Sequence, residues 1–154
     1  MISVSRPIEA TSEQVWAVLS DGWLYAGWVV GASRIREVDP RWPAEGSTIA
    51  HSVGSWPLLL DDDTEVLTCR PGRLLRLLAR TRPLGESLVE IEVSARPGLG
   101  SCTVQIREDA VSGPGMLVLV PAPLRQLALA PRNRESLRRL DYLARGRLRA
   151  ERQS

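Results

Sequence analysis

The sequence contains no lysine; all 20 of its basic residues are arginine. A Schiff-base mechanism through a lysine amine is thereby excluded, and so is a phosphate-binding loop of the Gly-Lys type. Phenylalanine is also absent, histidine occurs once, as His51, and cysteine twice, as Cys69 and Cys102. The two cysteines are far apart and lack the paired spacing of a zinc site or a redox motif, so they read as buried thiols. No serine stands in a Gly-x-Ser-x-Gly elbow, which disfavours a hydrolase. No stretch approaches the roughly 18 consecutive apolar residues of a membrane span, and Met1-Ile2-Ser3-Val4-Ser5-Arg6 lacks the layout of a secretory signal. A cytoplasmic location is the expectation.

What is present is ordinary for a globular chain: 44% hydrophobic and 25% charged residues over 154 positions, enough for one core and one domain spanning 1–154. The net charge of +2 is too small to argue for DNA as a partner. Its distribution is uneven, with eight arginines against three acids (Glu135, Asp141, Glu151) between Arg132 and Arg152. Arginines near the end of a helix complement its dipole and sit comfortably on a solvated face. Docking on an acidic partner or RNA is the alternative reading.

A first strand around Ile2–Ile8 gives way to Thr11-Ser12-Glu13-Gln14, which has the capping-box form and predicts a helix start. Val15, Val18, Leu19 and Gly22 follow at helical spacing, with Gly22 allowing a close approach or a break. Asp21 can cap a second short helix, roughly Gly22 to Val29, that carries Trp23, Leu24, Tyr25 and Trp28. From Ala32 the period switches to two for about seventy residues. Breaks at Pro40, Pro43–Gly46, Trp56–Pro57, Pro71–Gly72, Pro83–Gly85 and Pro97–Gly100 delimit six strands. Short turns pair them as an antiparallel meander, with the first strand joining an edge. After Gly113-Pro114-Gly115 and the apolar run Met116–Val120, a helical pattern runs from about Ala122 to Arg149. It is interrupted by Pro131, where a kink or a division is expected, and it should fray past Gly146. Its inward stripe is Leu124, Leu127, Ala128, Asn133, Ser136, Leu137, Leu140 and Ala144.

Alternation assigns the strand faces. Ile49, His51 and Val53 share one, as do Leu75, Leu77 and Ala79, then Val89, Ile91 and Val93, then Cys102, Val104 and Ile106. Arg76, Arg80, Glu90, Glu92, Gln105 and Arg107 take the other face, where opposite charges can pair across strands. Asp61-Asp62-Asp63 with Glu65 invites a metal reading, but it lacks the glycine and loop length of a calcium loop, and a solvated turn suffices. No metal and no cofactor are expected. Gly98-Leu99-Gly100 reads as a hairpin turn rather than a dinucleotide fingerprint.

The element order, together with Ile8-Glu9-Ala10-Thr11-Ser12-Glu13-Gln14-Val15-Trp16, Trp28-Val29-Val30-Gly31-Ala32 and Arg132-Asn133-Arg134-Glu135-Ser136-Leu137-Arg138-Arg139-Leu140, resembles the SRPBCC superfamily. That superfamily includes START lipid-transfer domains, plant pathogenesis-related allergens and polyketide cyclase/dehydrases, and the chain looks most like the bacterial polyketide-cyclase-like branch. The resemblance implies an α+β helix-grip fold: a curved seven-stranded antiparallel sheet wrapped around a long C-terminal helix, with two short helices between strands 1 and 2.

Function is expected in the space between sheet and helix. The first reading is the binding of a small hydrophobic molecule, a polyketide, isoprenoid or lipid, by a monomer or homodimer. The expected lining is Trp28, His51, Val53, Trp56, Leu77, Ala79, Val89, Ile91, Val104, Leu124, Asn133 and Leu137. The second is a polyketide cyclase or dehydratase with His51 as acid/base, the chain's one histidine, which its parity with Ile49 and Val53 points inward. The third is an interaction module using the arginine-rich C-terminal helix.

Overall fold

Capping decides where the first helix begins. In the computed structural model, which describes residues 1–81, 85–112 and 121–154, the Thr11 hydroxyl accepts from the Gln14 amide at 3.2 Å and the Gln14 side chain accepts from the Thr11 amide at 2.9 Å. This closes the box read from sequence. Strand β1 (Ile2–Ile8) precedes it; α1 (Ser12–Leu19), a 3₁₀ turn (Gly22–Leu24) and α2 (Tyr25–Trp28) follow. The Asp21 carboxylate accepts from the Trp23 amide at 3.1 Å and so starts that turn. Six strands come next: β2 (Ala32–Val38), β3 (Thr48–Val53), β4 (Leu60–Arg70), β5 (Leu74–Thr81), β6 (Gly85–Arg96) and β7 (Ser101–Ser112). Helix α3 (Ala122–Gln153) closes the chain. The residues Pro83, Gly113-Pro114-Gly115 and Met116–Val120, and the side chain of Ala128, lie outside the described residues.

All seven strands form one antiparallel sheet in the order β1-β7-β6-β5-β4-β3-β2, a meander whose first strand returns to the far edge. Register shifts in β2, β4 and β7 bend the strands, and the sheet curves toward α3. Helix α3 packs closely on β1, α1 and α2 and only lightly on β7. Val15, Val18 and Leu19 of α1 meet Leu137, Leu140 and Ala144 of α3 in the buried core together with Ile8, Leu75, Ile91 and Val104. Among the described residues, no helix is long and apolar enough to cross a membrane.

Three expectations change. Pro131 does not divide the terminal helix, which is one element throughout. The proline is exposed, on the side where the carbonyl it leaves unpaired can be hydrated. The helix also continues past Gly146 to Gln153, and the Arg147 guanidinium reaches back to Asp21 at 3.1 Å, tying that turn to the α1–α2 corner. Asp61, Asp62 and Asp63 lie within β4 rather than in a turn. Arginines neutralise their outer face: Arg80 holds Asp63 at 2.7 Å and Glu65 at 2.6 Å. The rest of the outer face pairs as expected, with Glu90 bridging Arg76 at 2.6 Å and Arg107 at 2.8 Å. On α3, Arg138 and Arg139 hold Glu135, and Arg145 holds Asp141. Much of the basic excess is thus matched inside the chain.

Candidate functional site

Strand register builds the inner face row by row. One row runs Ile106–Ile91–Leu75, the next Glu108–Val89–Leu77–Val66, the next Ser87–Ala79–Thr64–Ile49, and the last Asp62–His51–Ile35. The first row is sealed, with Ile106, Ile91 and Leu75 buried. Beyond it, Glu108, Ser87, Thr64, Asp62 and His51 form a polar diagonal that crosses the sheet from β7 to β3. Along this line and past it the inward-facing Val89, Ala79 and Val53 are only half-buried. The inner face is therefore closed at one end and accessible toward the end where the β3–β4 connection lies.

At the β3 end of the diagonal, Nε2 of His51 lies 3.0 Å from Oγ1 of Thr64, and the same oxygen lies 3.2 Å from the Tyr25 hydroxyl supplied by α2. The Tyr25 and His51 rings stand 5.2 Å apart. Nδ1 of His51 is buried and makes no hydrogen bond of good geometry. Burial, followed by the positive charge of Arg36, pushes the His51 pKa down to about 4; Asp63 and the Ser52 main chain oppose this more weakly. Burial raises Tyr25 to about 12 against its hydrogen bond with Thr64. Both groups are uncharged at neutral pH.

At the β7 end, Glu108 is 2% exposed and receives four hydrogen bonds. Arg132 Nη2 donates to both of its oxygens, at 2.7 and 2.6 Å, Asn133 Nδ2 donates at 2.9 Å and Ser87 Oγ at 3.0 Å. A buried carboxylate requires such compensation. The two ends share one electrostatic environment, because Arg132, Asp62 and Glu108 all act on the Tyr25 hydroxyl.

The structure brings together part of the expected lining. His51, Ala79, Val89 and Asn133 surround the diagonal, with Val53 beside it on β3. Leu77, Val104, Ile91 and Leu137 form its sealed floor, each no more than 1% exposed. Trp28 is buried in the core, edge-on to Tyr25 at 5.6 Å between centroids. Trp56 does not join the lining: it is 84% exposed, because the chain leaves β3 at Gly54, with φ of +96°, and strand alternation no longer applies. Leu124 does not join it either, being 54% exposed in the first turn of α3, ahead of the stretch that packs on β1, α1 and α2. Sequence reasoning missed Tyr25, Asp62, Thr64, Ser87, Glu108 and Arg132. The signal for Glu108 was available, since it continues the inward parity of Cys102, Val104 and Ile106.

No family model and no curated protein matches this chain. Solved structures do. The Zhui aromatase/cyclase from Streptomyces sp. R1128 superposes with a TM-score of 0.73 at 16% identity, over 97% of this chain and 96% of that one. A conserved protein from Geobacillus kaustophilus gives 0.73 at 14% identity, over 94% of each chain. The di-domain aromatase/cyclase StfQ of the steffimycin biosynthetic pathway gives 0.70 at 12% identity over 96% of this chain, which spans about half of StfQ (51%). Likeness at such identities is likeness of fold, and the fold this chain has over nearly its whole length is the helix-grip fold that these aromatase/cyclase structures share.

Proposed function

We propose that this chain binds a small hydrophobic molecule of polyketide, isoprenoid or lipid type between the open part of the inner sheet face and α3. The observation that carries the reading is the accessibility of the inward-facing Val53, Ala79 and Val89 beside a buried polar diagonal. The Ile106–Ile91–Leu75 row of the same face is sealed. Apolar side chains left accessible on a concave face, with a few polar groups converging on them, are the common form of a small-molecule site. Each methylene that a ligand buries there contributes about 0.8 kcal/mol. The structural likeness to two aromatase/cyclases supports a role of the ligand-binding or cyclase kind.

A second reading, cyclisation or dehydration with His51 as acid/base, is favoured by the unpartnered Nδ1. It ranks second because a base whose conjugate acid has a pKa of about 4 is a weak proton acceptor at neutral pH.

Titration with the uncharged fluorescent probe N-phenyl-1-naphthylamine tests the binding reading. Saturable uptake is expected, and its loss in Val89→Trp, which would fill the accessible region. No saturable uptake, or uptake unchanged by Val89→Trp in a folded variant, overturns it.

A further inference from the structure

Helix α3 buries one face and leaves the other to solvent. Leu137, Leu140 and Ala144 are packed into the fold, whereas on the far side Arg134, Arg138, Tyr142, Arg145, Arg149 and Arg152 are all exposed. At about 100° per residue these six side chains fall within an arc of about 80°, and the stripe runs for about 27 Å. Between Arg134 and Arg152 no acid and no aliphatic side chain shares that arc. Glu135 and Asp141 stand at its borders. Glu135 accepts from Nε and Nη2 of Arg138 and from Nε of Arg139; Asp141 accepts from Nε and Nη2 of Arg145 and from Nε of Arg6 on β1. Glu9 acts on Arg145 from further away. These contacts leave Nη1 of Arg138 and of Arg145 unused, and Arg134, Arg149 and Arg152 have no ion-pair partner among the described residues. Helix polarity accounts only for the end of the stripe, because the pull of a helix C-terminus on cations fades within the last turn and Arg138 lies about four turns before it.

Tyr142 narrows the chemistry of the partner. It is 78% exposed and makes no hydrogen bond or ring contact among the described residues. With Arg6, Arg138, Arg139 and Arg145 it borders one open recess of about 620 Å³. Guanidinium groups match phosphate oxygens in pairs, and an accessible aromatic ring among them is a platform on which an unpaired base stacks. A duplex keeps its base faces stacked and would leave the ring unused. A bilayer would find nothing aliphatic on this arc to bury.

We propose that the exposed face of α3 is a docking surface for single-stranded RNA, with the stripe arginines on its phosphates and Tyr142 against a base. RNA loops and ends present such unpaired bases. The surface lies on the side of α3 away from the buried core residues, so RNA held there leaves the inner sheet face free.

Fluorescence anisotropy with a labelled single-stranded RNA of about 12 nucleotides tests it. Saturable binding is expected, weakening about a hundredfold between about 50 and about 200 mM salt, the slope of about five phosphate contacts. The double variant Arg134→Gln/Arg149→Gln removes two arginines that make no ion pair and should lower that slope by about 1.4. Tyr142→Ala should weaken binding about tenfold and leave the slope unchanged, because stacking releases no counterions. All three positions are exposed, so the variants should fold, which circular dichroism checks. No binding at the lower salt overturns the proposal, as does a folded arginine variant that keeps the wild-type slope. Full-strength binding by Tyr142→Ala overturns it too, since charge without stacking would serve any polyanion. Polyglutamate that displaces the RNA at equal charge concentration assigns the surface to an acidic polypeptide instead.

Discussion

Oγ1 of Thr64 lies 3.0 Å from Nε2 of His51, joining a β4 hydroxyl to a β3 imidazole within the polar diagonal of the inner face. Thr64 is fully buried, so neither partner can exchange it for water. Thr64→Val keeps the volume and removes the hydroxyl, leaving both Nε2 and the Tyr25 oxygen without a partner. Stability should fall by about 1–3 kcal/mol, read as a lower urea midpoint at unchanged slope. Thr64→Ser, which retains the oxygen, should lose less of the histidine contact while still opening a small cavity. Equal loss in the two variants would assign the effect to packing.

His51 gives this chain a defined response to acid. Its folded pKa of about 4 lies below the ordinary 6.5 because burial and Arg36 disfavour the imidazolium. Between those values the unfolded chain binds the proton and the folded chain does not. Stability therefore declines as pH falls from about 6.5 toward 4, and this contribution is constant above and below that window. The full effect is on the order of 3 kcal/mol. Because the sequence has one histidine, its ring resonances in an NMR titration report it alone, and a midpoint near or above 6.5 would refute the assignment. His51→Gln should remove this part of the decline between pH 6.5 and 5.

The parts of this architecture that were legible are those set by local period. The capping box at Thr11, the inward parity of Leu75, Leu77, Ile91 and Val104, and the Asn133–Ser136–Leu137–Leu140 stripe all follow from spacing and are all found in place. The site was legible only in part, because its chemistry arises from juxtapositions that spacing does not encode. Tyr25 meets Thr64 across 39 positions and Arg132 meets Glu108 across 24. Parity alone could have placed Glu108 inward, but an inward carboxylate makes sense only once the arginine and asparagine that hold it are known. Trp56 and Leu124 show the converse: a large apolar residue carries no information about direction once the chain has left the strand or has not yet reached the core.

The Glu108–Arg132 pair should behave as a unit. Removing the guanidinium in Arg132→Met leaves a nearly inaccessible carboxylate held only by Asn133 and Ser87. Because Arg132 keeps 38% of its side-chain surface in solvent, the cost should lie at about 2–3 kcal/mol, below that of breaking a wholly buried pair. Glu108→Gln alone should cost a similar amount. The double variant should recover much of the loss, giving a coupling energy of at least about 1 kcal/mol in a double-mutant cycle. Strict additivity would mean that the two groups do not interact in solution.

Gly22 and Gly27 flank the turn that delivers Tyr25, and they should respond oppositely to the same substitution. A Cβ on Gly22 would stand 2.6 Å from Val38 Cγ1, 3.2 Å from Ile49 Cδ1 and 3.3 Å from Trp42 Cδ1. A Cβ on Gly27 would meet Leu143 Cδ1 at an ordinary 3.4 Å. Gly22→Ala must therefore push Val38 aside or lift the turn off the sheet, at about 1–3 kcal/mol. Gly27→Ala, inside α2, should be neutral or stabilising by up to about 1 kcal/mol, since alanine gives up less backbone entropy on folding. The histidine titration separates the two ways Gly22→Ala could relax. If only Val38 rotates, Tyr25 stays on Thr64 and the His51 midpoint remains near 4. If the turn lifts, the imidazole loses its cover and the midpoint rises toward 6.5.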